Sequence, residues 1–367
     1  MQAAVFREVG RPLEVEEIEV AEPNHGEVLV RLFASGVCHS DYHVVVGEWE
    51  APVPVILGHE GAGVVEAVGA GVERLAVGDH VVLVWGSGCG RCEYCASGRP
   101  QLCSVARATT YESLMLDGTT RLRQADVPVR PYLAVGSFGE LAVVPEAGAV
   151  KIASEIPLDR AALVGCAVAT GFGAVVNTAR VPVGASVAVL GCGGVGMSII
   201  QGAAVSGAWP VIAIDVSEEK LRLARSLGAS HSVNGGAGDA VGAVLGLTEG
   251  RGVDFAFEAI GLAATIEQAV AMLAPAGTAV LVGMAPDGVT VALDPLLISD
   301  REHRIVGCNY GSCRPAIDFP KLLDLYMRGV LDLDAMITRR LRLNQVGDGF
   351  EAMRRGESVR SLIVHGG

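Results

Sequence analysis

Three widely separated residues have the side chains of a catalytic zinc site. Cys38 lies in the segment GVCHSDYH, His59 follows about twenty residues later in GHE, and Cys166 is a candidate third ligand. Thiolate and imidazole are common zinc ligands, and three protein ligands leave the fourth position open to water or a substrate oxygen, so this set predicts a catalytic metal centre. Spacing alone leaves a second interpretation, in which the cysteines are core residues and His59 belongs to a turn.

A second group of cysteines is much more compact. The segment GSGCGRCEYCASGRPQLC contains Cys89, Cys92, Cys95 and Cys103, which are four thiols within fifteen residues. Four closely spaced thiolates in a Gly-rich loop are typical of a closed tetrahedral zinc site that holds structure and performs no chemistry. Disulfides or reactive thiols are the alternatives, and a reducing cytosol disfavours them.

A glycine-rich turn predicts a dinucleotide site. After the apolar run 185–190, the segment GCGGVG supplies Gly191, Gly193 and Gly196 in a G-x-G-x-x-G pattern, with Gly194 and Val195 between them. Such a turn lets the backbone approach a pyrophosphate at a helix N-terminus. In a chain with 48 glycines the pattern alone also fits an ordinary tight turn.

An acidic residue after the next strand supports the dinucleotide interpretation. Asp215 ends the run VIAID and lies 24 residues after Gly191. Its carboxylate can accept hydrogen bonds from the adenosine ribose and would repel a 2′-phosphate, so we expect NAD and not NADP. The alternative is a solvated residue at a strand end.

The elements that must position these groups change along the chain. From Leu13 to about Val84, short runs alternate apolar and polar residues between Gly or Pro turns, which predicts antiparallel β structure in a small barrel or sandwich. From about 183 to 283, strands alternate with helical intervals, which predicts a doubly wound parallel sheet. Two amphipathic helices, Asp318–Met327 and Val346–Arg355, and a strand in SVRSLIVH follow.

Length and composition exclude several classes of protein. The 367 residues favour two domains, and the net charge of −13 argues against nucleic acid or anionic membranes as partners. Residues 161–179 and 181–214 are uncharged, but we expect their glycines and prolines to divide them into strand-length and helix-length pieces of a buried core, and not to form membrane spans. The N-terminus has no signal-peptide pattern, so a cytoplasmic location is expected.

With these motifs in order, the chain resembles the zinc-containing medium-chain alcohol dehydrogenases over essentially its whole length. The matching segments are GVCHSDxH, GHEGAG, the four-cysteine lobe, GCxxxTG, GCGGVG, LDGTTR and SVRSLIV. The segments GCGGVG and CNYGSCRPAIDFPKLLDLYMRG are similar to the branch that contains actinobacterial mycothiol-dependent formaldehyde dehydrogenases and related aryl or alkyl alcohol dehydrogenases.

The resemblance implies an α/β protein with a discontinuous architecture. A GroES-like, β-rich catalytic domain would comprise residues 1–167 and 310–367, and a doubly wound Rossmann domain that binds NAD would comprise 168–309. Two zinc ions per subunit are implied, one catalytic and one structural. Cys38, His59 and Cys166 would hold the catalytic ion, Glu60 would lie close behind it, and Asp41 would orient His59.

The resemblance also assigns residues to the cofactor. Thr170 would lie against the nicotinamide, Lys220 beside Asp215 at the ribose, and Arg360 at the pyrophosphate. His39 stands where some members of the family place an arginine against the cofactor phosphate, so we expect a weaker and more pH-dependent contact there.

A substitution tests the contact assigned to His39. We predict that His39→Arg lowers the dissociation constant for NAD, because a guanidinium keeps its charge and can bind a phosphate in a bidentate fashion. Fluorescence titration with NADH and NAD checks this prediction. An unchanged or higher dissociation constant would show that His39 makes no such contact.

The same family implies the route of the proton that alcohol oxidation releases. Ser40 would take it from the alcohol and pass it through the cofactor ribose to His43, whose imidazole side chain can relay it to water. The alternatives are that Ser40 caps a local turn and that His43 is a surface residue.

The expected function is hydride transfer between a primary alcohol, aromatic or of medium chain length, or its aldehyde, and NAD. Large apolar residues would line the substrate pocket and disfavour a charged substrate; they are Trp49, Trp85, Tyr132, Leu133 and Met284. Three other interpretations remain: a thiol-dependent formaldehyde dehydrogenase that oxidises an S-hydroxymethyl thiol, a nicotinoprotein that never releases NAD, and a non-catalytic zinc-binding protein. A homodimer is expected, with an edge strand at Ile305–Cys308 extending the sheet across a two-fold axis.

Overall fold

The chain folds into two compact units. The computed structural model describes residues 1–365; the first unit comprises residues 1–166 and the segment from 314 onward, and the second comprises Ala167–Cys313. The domain limits expected from the sequence, 167 and 310, lie one and four residues from these divisions.

The helices and strands follow one another in three stretches. Residues 1–166 contain β1 (Gln2–Phe6), β2 (Glu14–Glu17), β3 (Glu19–Val20), β4 (Glu27–Val37), α1 (His39–Val45), β5 (Val55–Ile56), β6 (Glu60–Val68), β7 (His80–Leu83), α2 (Glu93–Ala96), α3 (Ser104–Thr110), β8 (Leu122–Gln124), β9 (Val127–Pro131), β10 (Leu141–Pro145), β11 (Ala149–Ile152) and α4 (Leu158–Leu163). The second unit contains α5 (Ala169–Gly173), β12 (Val187–Leu190), α6 (Gly194–Val205), β13 (Val211–Asp215), α7 (Glu218–Ser226), β14 (His231–Asn234), α8 (Ala240–Leu247), β15 (Val253–Glu258), α9 (Ala263–Ala271), β16 (Leu273–Leu281), α10 (Pro295–Asp300) and β17 (Arg304–Gly307). The last stretch contains α11 (Pro315–Met327), β18 (Ile337–Leu341), α12 (Val346–Arg354) and β19 (Arg360–Val364).

Two mainly antiparallel sheets form most of the first unit. One has the strand order β2-β1-β5-β9-β8-β3, and the other has β11-β7-β6-β4-β19-β18, with β10 also paired to β4. In the middle of β4 the side chains alternate, so that Val30 and Leu32 are buried while Arg31 and Phe33 are exposed. This alternation places one face of the sheet on an apolar core, and it confirms the β-rich region that the sequence predicts.

The C-terminal strand explains why the first unit is discontinuous in sequence. β19 pairs antiparallel with the end of β4, with Ser361 opposite Val37 and Val364 opposite Ala34. The chain therefore returns beside the strand that leads directly to Cys38, as the resemblance implied.

The second unit is a doubly wound parallel sheet. Its six strands have the order β14-β13-β12-β15-β16-β17, and all neighbouring pairs are parallel. Every residue of β12 is buried, as expected for a strand covered by helices on both faces. The strand order reverses direction between β12 and β15, and in such sheets ligands bind beyond the carboxyl ends of the strands at this point.

One local prediction was wrong. Gly165, Gly171 and Gly173 do not divide residues 158–179, because α4, a π-helical segment at Val164–Val168, α5 and a second π-helical segment at Ala174–Ala179 follow one another without a break. This run is long and apolar enough to cross a membrane, but 78% of its apolar 18-residue window is buried inside the protein, which is typical of a core helix.

Candidate active site

Strand pairing brings the three candidate ligands of the catalytic metal together. Cys38 directly follows β4, His59 directly precedes β6, and these strands pair with Gly36 opposite Glu60. The ligand atoms of Cys38, His59, Glu60 and Cys166 all lie within 4.8 Å of one another, and all four side chains are buried. A Cβ at Gly36 would lie 2.0 Å from Glu60 Oε2, so the glycine leaves space for this buried carboxylate.

A buried aspartate holds two of these ligands in place. Asp41 is fully buried; its Oδ1 lies 3.1 Å from His59 Nδ1 and accepts a hydrogen bond from the Gly58 amide at 2.9 Å. Its Oδ2 accepts from the Cys38 amide at 3.1 Å. With Nδ1 bonded to the carboxylate, Nε2 of His59 is the nitrogen that can bind a metal.

The donor set fits a zinc ion. A hydrogen bond from Cys166 lowers the pKa of the Cys38 thiol well below its ordinary range, while the same bond raises the pKa of Cys166. The lowered pKa favours the thiolate form of Cys38, which is the form that binds a metal cation. Among residues 1–365, Glu60 Oε1 is a buried oxygen without a hydrogen-bond partner, so it leaves lone pairs available beside the cluster.

Glu60 is paired with an arginine from the C-terminal strand. Arg360 Nη2 donates a hydrogen bond to Glu60 Oε2, and both side chains are buried. Burial raises the pKa of Glu60 to about 7, although the neighbouring guanidinium favours the charged form. The assignment of Arg360 to the cofactor pyrophosphate stays a prediction, and what the structure adds is its ion pair with Glu60.

The residues of the predicted proton relay lie on α1. Ser40 is half-buried, with Oγ 3.8 Å from Cys38 Sγ, and its carbonyl accepts a hydrogen bond from Tyr132 Oη at 3.3 Å. His43 is buried, its Nδ1 lies 2.5 Å from Glu48 Oε2, and its ring stacks on Trp49 with centroids 4.3 Å apart. The structure therefore does not place His43 on the open surface.

Aromatic side chains surround His59. Trp85 and Tyr132 approach its imidazole edge-on, with centroid distances of 6.3 and 5.9 Å. Leu133 is buried in the same turn as Tyr132, and burial raises the pKa of the Tyr132 phenol well above its ordinary range. Met284 belongs to the second unit and is half exposed. The apolar character expected of the pocket is present next to the metal ligands.

The four-cysteine lobe gathers its sulfur atoms as the spacing predicts. Ligand atoms of Cys89, Cys92, Cys95 and Cys103 lie within 4.8 Å of one another. Cys103 Sγ accepts hydrogen bonds from the Cys89 and Ala106 amides, each at 3.3 Å, and thereby also caps α3. A hydrogen bond from the Cys95 amide is the main cause that lowers the pKa of Cys92 to about 6. Four sulfur donors supported by amide groups fit a closed zinc site.

The glycine-rich turn has the geometry of a dinucleotide cradle. Gly191 follows β12 with φ of +92°, Gly193 precedes α6, and Gly194 to Gly196 form its first turn. A Cβ on Gly196 would lie 1.7 Å from the Gly191 carbonyl oxygen, so only glycine allows this close packing. The free amide groups of the helix N-terminus can then face a pyrophosphate.

Asp215 also accepts hydrogen bonds from backbone amides of this region, which the sequence did not predict. One carboxylate oxygen accepts a hydrogen bond from the Cys192 amide at 2.7 Å, and the other accepts from the Ser217 amide at 2.9 Å. Ser217 caps α7 through the Lys220 amide, so Lys220 starts close to Asp215. The carboxylate thus orders the glycine-rich turn and still has lone pairs for a ribose.

Of the other predicted cofactor residues, Thr170 is buried and His39 is exposed. Thr170 is buried in α5, next to Gly171, where a Cβ would lie 2.3 Å from the Val195 carbonyl oxygen. This close packing places Thr170 near the start of α6. His39 is exposed at the start of α1, and its ring lies 5.6 Å from that of Tyr42.

Comparison with known proteins identifies the family. Residues 24–154 match the alcohol dehydrogenase GroES-like domain, and residues 194–328 match the zinc-binding dehydrogenase domain. The chain is 36% identical over 374 residues to the S-(hydroxymethyl)glutathione dehydrogenase of Paracoccus denitrificans, and 99% of each chain is covered. The protein belongs to the zinc-binding medium-chain alcohol dehydrogenases. It is therefore an oxidoreductase of the alcohol and aldehyde class, and its fold is confirmed as a GroES-like domain with a Rossmann domain.

Solved structures are similar to this alcohol dehydrogenase along its whole length. The crystal structure of benzyl alcohol dehydrogenase from Acinetobacter calcoaceticus has a TM-score of 0.94 at 33% identity, and the match covers 99% of this chain and 98% of that one. A structure from Sinorhizobium meliloti with bound NADP has a TM-score of 0.83 at 30% identity, with the same coverage. A nicotinamide dinucleotide and a small alcohol or aldehyde are thus the ligand classes of the family.

Proposed function

We propose that this alcohol dehydrogenase oxidises aromatic or medium-chain primary alcohols with NAD, or reduces the corresponding aldehydes. The observation that carries the proposal is the aromatic and apolar surrounding of the metal ligands, where Trp85 and Tyr132 face His59. An apolar ring or chain gains free energy from burial beside such groups, whereas a charged group would lose its hydration there.

Each residue of the site has a separate role in the proposed reaction. Cys38, His59 and Cys166 would hold a zinc ion, which when bound acts as a Lewis acid on the alcohol oxygen. Asp41 fixes the orientation of His59, so the ligand geometry is set before substrate binds. Ser40 would accept the hydroxyl proton while the carbinol carbon gives its hydride to the nicotinamide.

Formation of NADH by the purified enzyme tests this function. The substrates are benzyl alcohol, a medium-chain alcohol, and formaldehyde with and without mycothiol or glutathione. Turnover of the simple alcohols without thiol supports the proposal. If formaldehyde is oxidised only when a thiol is present, the substrate is instead an S-hydroxymethyl thiol. The similarity to the S-(hydroxymethyl)glutathione dehydrogenase of Paracoccus denitrificans supports this alternative.

The assay also distinguishes the other two alternatives. A nicotinoprotein would be purified with bound NAD and would need an external electron acceptor, so NAD is measured in the protein after denaturation. A non-catalytic zinc-binding protein would bind zinc and NAD without turnover of any alcohol. Two zinc ions per chain are part of the proposal, and elemental analysis counts them.

We also infer that NAD is the preferred cofactor, although a similar structure contains NADP. The Asp215 carboxylate would lie against a 2′-phosphate, and like charges in contact cost several kcal/mol. Asp215→Asn removes the charge while keeping one acceptor oxygen for the Cys192 or Ser217 amide. We expect the ratio of kcat/KM for NADP to that for NAD to rise about tenfold or more.

A neighbouring exposed carboxylate serves as the control for this prediction. Glu219 lies on α7, four residues after Asp215, and its side chain is exposed. Glu219→Gln removes the same charge without touching the turn, so the cofactor ratio is expected to stay at the wild-type value. An unchanged ratio in Asp215→Asn would contradict the assignment.

We further propose a cytoplasmic homodimer. Within residues 1–365, β17 pairs with β16 on one side, and no strand pairs with its other edge. Ile305 on this strand is 37% exposed, so an apolar edge is available for a second copy. Light scattering coupled to gel filtration measures the assembly, and a monomer at micromolar concentration would contradict the proposal.

A further inference from the structure

A carboxylate holds the imidazole that the proposed proton route requires. Glu48 lies just beyond α1, where its amide donates a hydrogen bond to the His43 carbonyl at 2.8 Å. Its Oε2 lies 2.5 Å from His43 Nδ1. Trp49 stacks on one face of the imidazole, with an interplanar angle of 24°. These contacts fix the ring and make Nδ1 a donor to the carboxylate.

The two members of this pair differ strongly in their contact with water. The side chain of His43 is 5% exposed, whereas that of Glu48 is 43% exposed. A proton that arrives on the imidazole therefore cannot pass freely from His43 to bulk solvent. The neighbouring carboxylate does reach solvent, and it already accepts a hydrogen bond from the ring.

We propose that Glu48 is a positioning residue that acts through His43 and completes the proton route to water. This inference rests on the proposed function, which releases one proton for each alcohol oxidised. The released proton binds His43 Nε2 as the Nδ1–H bond breaks, and the Nδ1 proton forms a bond to Glu48 Oε2. The carboxylic acid then gives its proton to water, so one proton leaves for each alcohol oxidised and the carboxylate returns to its starting state. The imidazole is left with its proton on Nε2, and it regains the Nδ1–H form when Nδ1 takes a proton from water and Nε2 loses one to water before the next turnover.

The surroundings of the ring support this direction of transfer. The other imidazole in contact is His39, on the same helix, with centroids 4.8 Å apart. It lies edge-on to the His43 ring, with an interplanar angle of 67°, whereas the Glu48 carboxylate lies within hydrogen-bond distance of Nδ1. Glu50, two residues further on, is also exposed and acidic, but the carboxylate that contacts His43 is that of Glu48.

Glu48→Gln tests the proposal, with Glu50→Gln as the matched control. Glutamine has the size and the acceptor oxygen of glutamate but cannot take up a proton. We expect kcat for alcohol oxidation to fall about tenfold, since positioned proton transfer contributes at least this much. The dissociation constant for NAD and the zinc content are expected to stay within twofold of wild type. High concentrations of imidazole buffer are expected to restore part of the rate, because the buffer replaces the lost acceptor.

A double variant separates proton transfer from a purely structural effect. If Glu48 acts through His43, then His43→Gln with Glu48→Gln is expected to be no slower than His43→Gln alone, within twofold. If the loss of kcat in the double variant equals the product of the losses in the two single variants, the proposal is overturned. So would wild-type rates for Glu48→Gln at all buffer concentrations, or an equal loss of rate in Glu50→Gln.

A spectroscopic measurement tests the inference without turnover. In protein with ¹⁵N-labelled histidine, the His43 Nδ1 proton is expected to give a protected signal that shifts and exchanges faster in Glu48→Gln but not in Glu50→Gln. An unchanged signal in Glu48→Gln would show that the carboxylate does not control the ring. If the wild-type enzyme oxidises no alcohol, the proposed function fails, and this comparison still decides whether Glu48 holds His43.

Discussion

Cys166→Ser is expected to remove alcohol oxidation and one of two zinc ions while leaving the fold intact. Cys166 Sγ belongs to the buried cluster with Cys38, His59 and Glu60, and a serine hydroxyl is a poor ligand for zinc. Loss of a Lewis acid that contributes several kcal/mol corresponds to a decrease of about 10³-fold or more in kcat/KM. Elemental analysis and the NADH assay measure both effects on the same sample.

The remaining cysteines provide controls for this result. Cys308 is also buried in the fold but belongs to neither metal cluster, so Cys308→Ser is expected to keep both zinc ions and most of the activity. Cys95→Ser, in the four-cysteine lobe, is expected to lower the midpoint of thermal unfolding, since a structural zinc contributes directly to folding. A stable but inactive Cys95→Ser together with an unstable Cys166→Ser would mean that the two sites had been exchanged.

Local spacing was sufficient to predict the four-cysteine cluster and the dinucleotide turn. The four lobe cysteines are close in sequence, so a short loop must bring them together whatever the rest of the fold does. The glycine-rich turn follows a buried strand directly, and its glycines are required by contacts within the turn itself. The grouping of Cys38 with Cys166 depended on the family resemblance, because 128 residues separate them.

Ion pairs between residues far apart in the sequence could not be predicted from the residues around either partner. Arg360 and Glu60 are 300 residues apart, and the contact arises because β19 lies beside β4. The sequence contains many arginines, and nothing near Glu60 indicates which of them will be buried with it. Such long-range ion pairs can be identified only after the strand order is known.

The contact between Glu48 and His43 could have been predicted, because the two residues are close in the sequence. An acidic residue five positions after His43, just past the end of a short helix, is within reach of the imidazole when the chain turns back. The structure shows that turn through hydrogen bonds from the Glu48 and Trp49 amides to the His43 carbonyl. The burial of His43 was not predictable, since it depends on how Trp49 folds over the ring.

Arg121→Met is expected to lower the free energy of unfolding by about 3–5 kcal/mol, because it leaves a buried carboxylate without its partner. Arg121 Nε and Nη2 donate to the two oxygens of Glu27 at 2.8 and 2.5 Å, and both residues are buried. Nη2 also donates to Asp117 at 2.6 Å. Urea unfolding followed by the fluorescence of Trp49 and Trp85, which lie in the same unit, measures the loss.

An exposed pair that involves the same strand gives the matched control. Arg31 on β4 pairs with Glu66 at 2.7 Å, but these side chains are 58% and 40% exposed. Arg31→Met is therefore expected to cost less than about 1 kcal/mol, since water already solvates both charges. Combining Arg121→Met with Glu27→Leu is expected to recover part of the stability, because no buried charge then remains unpaired. Equal losses for Arg31→Met and Arg121→Met would show that burial does not set the strength of the Glu27 pair.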